Sequence, residues 1–176
     1  MIACLDVHYG QETATAAGVI FNDWRDAEPA DERVVRVSHI KPYVPGQFFL
    51  RELPCLIAVL DVLRQAEVVV IDGYVWLGKL PGLGAHLHSA LGGKTAVIGV
   101  AKTKFQEADG IEILRGKSTK PLFITAAGIA PEIAAEHIRS MHGPHRIPTL
   151  LKRVDRLARD HPFAKQRPIS SSYSGK

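Results

Sequence analysis

The stretch VVVIDG at residues 68–73 consists of four β-branched apolar residues followed by Asp72 and Gly73. A continuous apolar run of this length, ended by turn residues, predicts a strand that is buried on both faces of a sheet. In α/β proteins, functional groups collect at the carboxyl ends of such strands. Asp72 is therefore the first candidate for a functional residue.

The chain before this stretch predicts three antiparallel strands. Residues 1–8 and 13–22 are rich in apolar and β-branched residues and flank a turn, and residues 32–40 alternate between apolar and polar. Residues 41–47 contain two prolines and a glycine, which favours an ordered loop over a strand or helix. The buried strand at 68–72 thus follows an N-terminal antiparallel sheet.

The remaining chain alternates between helical and strand patterns. Pro54 lies within the first predicted helix, either in its first turn or at a kink. Helices are predicted at 48–65, 83–91, 130–141 and 150–159, strands at 95–100 and 121–125, and a hairpin or loop within 107–120.

This order of elements predicts an α/β fold. Its sheet is mixed, with three antiparallel strands followed by parallel strands, and helices flank it. This is the arrangement of ribonuclease-H-like nucleases. We expect one domain over residues 1–165 and a disordered, serine-rich tail over residues 166–176.

Composition narrows the class of protein. With 176 residues, 46% hydrophobic content and a mean hydropathy of +0.02, the chain predicts a globular protein with no membrane span. Asp6 interrupts any apolar leader, so we expect a cytoplasmic protein. Cys4 and Cys55 are expected to be free thiols, although a disulfide remains open. A net charge of +4 and basic residues concentrated over 152–167 are compatible with a polyanionic partner.

Three carboxylates are candidates for one metal site. Asp6 lies within the first strand, Asp72 ends the buried strand, and Glu52 lies near the start of a helix. A bare carboxylate in a buried strand costs several kcal/mol of desolvation, which a metal, a buried arginine or backbone donors could offset. Mg²⁺ prefers carboxylate oxygens and suits phosphodiester hydrolysis. The residues alone leave these alternatives open.

Several motifs together resemble the endonuclease V family, nucleases that act beside deaminated purines. The most specific is the block PYVPG at 42–46 followed by FLRELP at 49–54. The resemblance covers about residues 1–155. Its other motifs are CLDVHYG at 4–10, Asp72-Gly73, Leu83-Gly84 with His88, IGVAK at 98–102, PLFI at 121–124, and Arg146-Ile147-Pro148.

The resemblance implies roles for individual residues. Asp6, Glu52 and Asp72 would hold Mg²⁺, or Mn²⁺ in its place, and Lys102 would pair with the phosphate near the cut. Tyr43 would be part of a wedge that fills the gap left by a flipped base. The residues implied to contact nucleic acid are Pro42, Tyr43, Pro45, Gly46, Gly73, Gly84 and His88.

Each of these residues also has a simpler interpretation. Tyr43 could be a surface tyrosine, Lys102 a solvated lysine, and Gly73 and Gly84 ordinary turn residues. His88 could pack beneath the site or lie on a helix face.

One departure from the family pattern follows the PLFI strand. The family has a histidine or aspartate shortly after it, whereas this chain has Ala127 and Gly128. Tyr74 also stands where many relatives have a histidine. These differences imply weaker metal binding, slower catalysis or a different substrate.

The sequence therefore predicts a monomeric, Mg²⁺-dependent endonuclease. It would cut DNA on the 3′ side of a deaminated purine such as inosine, as a DNA repair enzyme, and would leave a 3′-hydroxyl and a 5′-phosphate. One alternative is a nucleic-acid-binding homologue that has lost turnover. Another is a nuclease that acts on RNA or branched DNA.

Overall fold

The computed structural model describes residues 1–10, 13–38, 40–42, 44–63, 66–105 and 109–162. Tyr43 and the predicted tail at 166–176 lie outside the described residues, so both predictions stay open.

A seven-stranded mixed sheet forms the centre of the fold. Its strand order is β3-β2-β1-β4-β7-β9-β8. The strands are β1 (Ile2–Tyr9), β2 (Thr13–Phe21), β3 (Asp31–Ser38), β4 (Val68–Asp72), β7 (Ala96–Ala101), β8 (Ile111–Ile113) and β9 (Leu122–Ala127).

The register of the central strands confirms the predicted mixed α/β sheet. β1, β2 and β3 are antiparallel neighbours, whereas β1, β4 and β7 run parallel. Leu5 pairs with Ile71, and Asp72 pairs with Val100. The carboxyl ends of β1, β4 and β7 therefore meet at one edge of the sheet.

The strand β9 runs against this direction. It pairs antiparallel with β7, so that Phe123 lies opposite Ala101 and Ala127 lies opposite Val97. The start of β9 is therefore at the edge where β4 and β7 end, and its own end is at the opposite edge.

Helices cover both faces of the sheet. On one face, α1 (Phe49–Leu60) packs on β1, β2 and β3, and α2 (Leu83–Ala90) packs on β7 and β9. On the other face, α3 (Pro131–Ser140) packs on β8 and β9, and α4 (Thr149–Asp160) packs on β1 and β2. The four helices agree with the predicted ones, with α1 ending earlier than expected.

Side chains alternate between the two helical layers, as strand geometry requires. Cys4, Val70 and Ile98 belong to the core beneath α3 and α4. Cys55 belongs to the core beneath α1 and α2. Both cysteines are free and buried, as predicted.

Two features of the fold were left open or not predicted. Pro54 lies in the second turn of α1, beyond the positions where a missing N–H is harmless. The glycine-rich segment after β4 contains a small hairpin of β5 (Trp76–Leu77) and β6 (Leu80–Pro81). Two-residue strands are too short to produce a periodic pattern. Among the described residues, no helix has the length and apolar character needed to span a bilayer.

Candidate active site

Three polar residues lie on one face of three neighbouring parallel strands: Asp6 within β1, Asp72 at the end of β4 and Lys102 directly after β7. Cys4, Val70 and Val100 belong to the core on the α4 side. Each of the three polar residues comes two positions later in its strand direction, so it continues on the same face. Because these strands end at a common edge, the sheet brings the three side chains together beneath α4.

A cavity of about 320 Å³ opens at this edge. Asp6, Asp72 and Lys102 line it from the strand ends, and Asp155 lines it from α4. His145, Arg146 and Lys152 add potential positive charge, whereas Leu5, Ile71, Val100, Ile147, Leu151 and Val154 form its apolar walls. The cavity thus combines carboxylates with cationic groups at one end of the sheet.

Two of the cavity carboxylates pair with a cationic side chain of the protein. Lys102 Nζ donates a hydrogen bond to Asp72 Oδ2, and Arg159 Nη2 donates one to Asp155 Oδ2. Asp72 is 47% exposed, so the desolvation expected for this residue from its buried strand is largely absent. Burial alone would lower the pKa of Lys102, but its hydrogen bond to Asp72, with the charges of Asp72, Asp6 and Asp155, raises it.

Asp6 lies deeper than Asp72. Its Oδ1 accepts a hydrogen bond of 2.9 Å from the backbone N–H of Val7. Desolvation raises the pKa of Asp6 to about 6, with further contributions from the charges of Asp72 and Asp155. The protein therefore stabilises the ionised form of Asp6 too little to offset the cost of its burial.

Glu52 reaches the same group of acids from the opposite face of the sheet. It lies in the first turn of α1 and is 8% exposed, and its Oε2 is buried with no hydrogen-bond partner among the described residues. Desolvation raises the pKa of Glu52 to about 8, and the charges of Asp6 and Asp72 add to this effect. Glu52 does not line the cavity itself, but it lies close enough to repel the acids that do.

Aromatic contacts hold the start of α1 against the end of β1. The guanidinium of Arg51 stacks over the ring of Tyr9 at 3.9 Å, and Tyr9 packs edge-on against Phe48 at a centroid distance of 6.4 Å. These contacts hold the start of α1, which carries Glu52, at the end of β1, and the charge of Asp6 helps to raise the pKa of Glu52.

The proline-rich loop precedes α1 on the exposed surface. Pro42, Pro45 and Gly46 are all exposed, and Gly46 adopts a φ of +77°, which favours glycine. Gln47 N donates to Val44 O at 3.0 Å and closes the turn. This loop leads into α1, which carries Glu52 in its first turn.

The segment after Asp72 is packed closely onto β7 and β9. A Cβ at Gly99 would lie 2.6 Å from the carbonyl oxygen of Gly73. The backbone N–H of Val75 donates a 2.8 Å hydrogen bond to Thr125 Oγ1. Gly73 has a φ of +114° and open space where a Cβ would be. It therefore permits close approach of another molecule beside Asp72.

Gly84 and His88 do not line the cavity. Gly84 is buried in α2, where a Cβ would lie 2.6 Å from Val75 Cγ2, so it allows α2 to pack on the segment after β4. His88 Nδ1 lies 2.7 Å from Thr95 O, just before the start of β7. The structure thus places His88 near the edge opposite Asp72, in agreement with the simpler helix-face interpretation.

The positions of Ala127 and Gly128 correct the expected departure from the family pattern. Since β9 is antiparallel to β7, Ala127 lies opposite Val97, and a Cβ at Gly128 would lie 2.8 Å from His88 Cε1. Both residues lie at the edge away from Asp72. A histidine or aspartate at either position would lie away from Asp72, so the impairment expected from its absence has no basis in these positions.

Asp155 lines the cavity although it was not predicted as a site residue. The buried stripe of α4 contains Leu151, Val154 and Ala158, and Asp155 lies four residues after Leu151 and three before Ala158. An acid inside an apolar stripe at helical spacing was the signal that could have identified it. His145 and Lys152 were also not predicted as cavity residues, and Arg146 was noted only as part of a turn motif.

The donor chemistry suits a hard divalent cation. Asp6, Glu52, Asp72 and Asp155 offer carboxylate oxygens, and Glu52 Oε2 is a buried acceptor in need of a partner. Within the described ranges, no three His, Cys, Asp or Glu side chains are arranged as a ready metal site. Asp72 is instead paired with Lys102, and Asp155 with Arg159.

Comparison with known proteins shows a match to one family. The family model for endonuclease V matches residues 1–130. Endonuclease V of Thermococcus kodakarensis is 30% identical over 166 residues, which are 91% of this chain and 78% of that protein. The counterpart of Pyrococcus horikoshii is 28% identical, with 99% of this chain and 81% of that protein covered.

A solved structure shows the same fold. It is endonuclease V of Ciona intestinalis in complex with a 24mer DNA that contains an inosine followed by a ribo-adenosine. It has a TM-score of 0.77 and 20% identity to this chain, and covers 90% of this chain and 84% of the other. Together with the matching family model, the similarities show that the chain belongs to the endonuclease V family.

Proposed function

We propose that the protein is a Mg²⁺-dependent endonuclease that hydrolyses a phosphodiester on the 3′ side of a deaminated purine such as inosine in DNA. The observation that carries the proposal is the convergence of Asp6, Asp72, Asp155 and Lys102 in one cavity at the strand ends. Membership of the endonuclease V family supports a nuclease activity.

Asp6, Glu52 and Asp72 would hold the metal, with Asp155 as a fourth acid nearby. Mg²⁺, or Mn²⁺ in its place, supplies positive charge against the phosphate and lowers the pKa of a bound water. Asp6 and Glu52 bear a cost without a cation, because both are buried and the charge of Asp72 raises the pKa of each. For Asp72 to bind a metal, its carboxylate has to turn at least in part from Lys102.

The basic residues of the cavity would bind the substrate backbone. Lys102, released from Asp72, lies next to the acids and would pair with the phosphate at the cut. Arg146 and Lys152 line the same cavity and would contact neighbouring phosphates. Such contacts release counterions, so binding is expected to weaken steeply as the salt concentration rises.

The exposed loop at 42–46 and the open space at Gly73 would recognise the extruded base. The loop leads into α1, which carries Glu52, and Gly73 directly follows Asp72 and leaves room for close approach. The role of Tyr43 as a wedge in the vacated stack stays part of this proposal. Gly84 would act indirectly, through its packing on Val75.

The choice between DNA and RNA rests on substrate tests. The DNA bound by the Ciona intestinalis protein carries a ribo-adenosine after its inosine. A panel for this protein therefore contains matched strands in which inosine is followed by a deoxynucleotide or a ribonucleotide, together with all-RNA and branched DNA substrates. Preferred cutting of the all-RNA or branched strand would contradict the DNA proposal.

The decisive experiment compares cleavage of oligonucleotides with and without inosine. The wild type with Mg²⁺ or Mn²⁺ is expected to nick the inosine strand and leave a 3′-hydroxyl and a 5′-phosphate, and Asp72→Asn is expected to lose this activity. Glu112→Gln is the matched control, because Glu112 is also an exposed acid paired with a lysine, Lys104, at 3.0 Å. Selective binding without nicking by the wild type would instead support a homologue that has lost turnover.

A further inference from the structure

Arg115 is a buried arginine outside the cavity whose guanidinium is surrounded by backbone oxygens. It follows β8 and is 6% exposed. Its nitrogens donate to five carbonyls of the segment 139–146: Arg139 (3.3 Å), Met141, Gly143 (3.4 Å), His145 (2.9 Å) and Arg146 (3.4 Å). Among the described residues, no carboxylate pairs with it. Its hydrogen-bonding capacity is thus directed at one segment of backbone.

The next residue packs against the same segment. Gly116 has a φ of +59°, and a Cβ there would lie 2.2 Å from the carbonyl oxygen of Pro144. A contact this short with backbone leaves no room for any larger residue. Arg115 and Gly116 therefore support the segment 139–146 through polar contacts and through close packing.

The supported segment reaches the candidate site. His145 and Arg146 line the cavity, and Arg115 does not. Arg146 Nη2 donates to Lys102 O at 2.5 Å and to Pro121 O at 2.6 Å. Lys102 in turn pairs with Asp72. A continuous series of contacts thus connects Arg115 with the basic side of the cavity.

We propose that Arg115 is a positioning residue for substrate binding, which acts by holding Arg146 at the cavity. This inference rests on the proposed function, because it assigns Arg146 to a phosphate of the nucleic acid. A lysine at position 115 keeps the charge but cannot reach five carbonyls with a planar fork of donors. If Arg115 only stabilised the fold, Arg115→Lys would lower the free energy of unfolding and leave the contacts to the substrate unchanged.

A double-mutant cycle separates the two roles. Binding of an inosine-containing DNA oligonucleotide is measured in EDTA by fluorescence anisotropy at several salt concentrations. Arg115→Lys is expected to raise Kd about tenfold, the value of one charge-assisted contact, and to reduce the salt slope by about one phosphate contact. The same change is expected to have no further effect in an Arg146→Met background and its full effect in a Lys152→Met background.

Controls make the outcome specific. Arg139→Lys is the matched control for Arg115→Lys, because Arg139 forms an exposed ion pair with Glu136 on α3. Urea unfolding verifies that each variant is folded. If Arg115→Lys is not, Gly116→Ala is taken through the same cycle, because it displaces the segment without removing a charge.

The results distinguish failure of this inference from failure of the proposed function. Equal effects of Arg115→Lys in the wild type and Arg146→Met backgrounds would overturn the inference, as would an unchanged salt slope. A wild type that binds the oligonucleotide but does not cut it with Mg²⁺ overturns the proposed catalysis, and the cycle on binding still decides the role of Arg115. A wild type that binds no oligonucleotide overturns both.

Discussion

At the scale of single residues, Glu52 has the least favourable environment for an ionised carboxylate. It is buried, one of its oxygens lacks a partner among the described residues, and Asp6 and Asp72 raise its pKa further. In a nuclease, such an acid is suited to a metal, because the cation compensates the charge that the protein leaves uncompensated.

The first prediction concerns Glu52 and pH. Its pKa is about 8 in the folded protein, against an ordinary value of 4.5. Between these values the folded protein holds a proton that the unfolded chain has released, so stability falls as pH rises from 4.5 to 8. In EDTA, Glu52→Gln is therefore expected to be more stable than the wild type at pH 8.5, by at least about 1.4 kcal/mol, which is the value of a tenfold change in proton affinity.

Urea unfolding at pH 4.5 and pH 8.5 checks this expectation. The difference between variant and wild type should nearly vanish at the lower pH, where the folded protein and about half of the unfolded chains hold the proton. Glu112→Gln, at an exposed acid, should show no such dependence on pH. A destabilised Glu52→Gln at pH 8.5 would show that Glu52 is compensated in the folded protein.

The second prediction concerns Lys102. Lys102→Met removes the cation that pairs with Asp72, and with it the proposed phosphate contact. We expect a loss of cleavage of about tenfold or more, as for a single charge-assisted hydrogen bond, with only a small change in stability because the pair is half exposed. Lys94→Met is the matched control, since Lys94 is exposed near the other end of the same strand. Equal activities of the two variants would exclude a role for Lys102.

At this scale the sequence predicted the residues that end strands better than those on helices. Asp6 lies within β1, Asp72 ends β4 and Lys102 follows β7, and the period of two places them on one face. The spacing within α4 indicates that Asp155 faces the core, but it does not show that α4 packs on β1 beside the cavity. Bringing it to the cavity requires the tertiary structure.

At the scale of elements, the direction of β9 decides which residues take part in the site. A buried apolar strand such as residues 122–127 has the same composition whichever way it runs. Its antiparallel pairing with β7 places Ala127 at the far edge and the start of the strand near Lys102. The elements themselves were predictable from periodicity, whereas the direction was not, and the mistaken role of Ala127 and Gly128 followed from it.

The third prediction concerns the contact between β7 and the segment after β4. In Gly99→Ala, the new Cβ would lie 2.6 Å from Gly73 O and 2.9 Å from Val75 N. Because these are backbone atoms, the segment that begins at Asp72 has to move. We expect destabilisation of about 1–3 kcal/mol and, in addition, a reduced kcat for the folded fraction.

Gly18→Ala provides the comparison for Gly99→Ala. Gly18 is also a strand glycine, in β2, and its added Cβ would lie 2.5 Å from Leu63 Cδ1, at the end of a side chain. It should be destabilised without loss of kcat per folded molecule, as measured by urea unfolding and cleavage kinetics together. A fully active Gly99→Ala would show that the segment adjusts without displacing Asp72.

At the scale of the whole molecule, the two helical layers bring together acids that are distant in the chain. Asp6 and Asp72 come from the sheet, Glu52 from α1 on one face, and Asp155 from α4 on the other. The resulting mutual repulsion opposes folding of the metal-free protein. A bound divalent cation would reverse this effect, so metal binding and folding should be thermodynamically linked.

The fourth prediction follows from this linkage. Mg²⁺ at one hundred times its Kd is expected to stabilise the protein by about 2.7 kcal/mol. At one fixed Mg²⁺ concentration the gain should be greater at pH 8.5 than at pH 5.5, because the metal requires ionised carboxylates and the pKa values of Asp6 and Glu52 are about 6 and about 8. Thermal unfolding in EDTA and in Mg²⁺ measures both. Asp72→Asn should lose most of the gain and Glu112→Gln should keep it, whereas equal gains in the two variants would place the metal away from these acids.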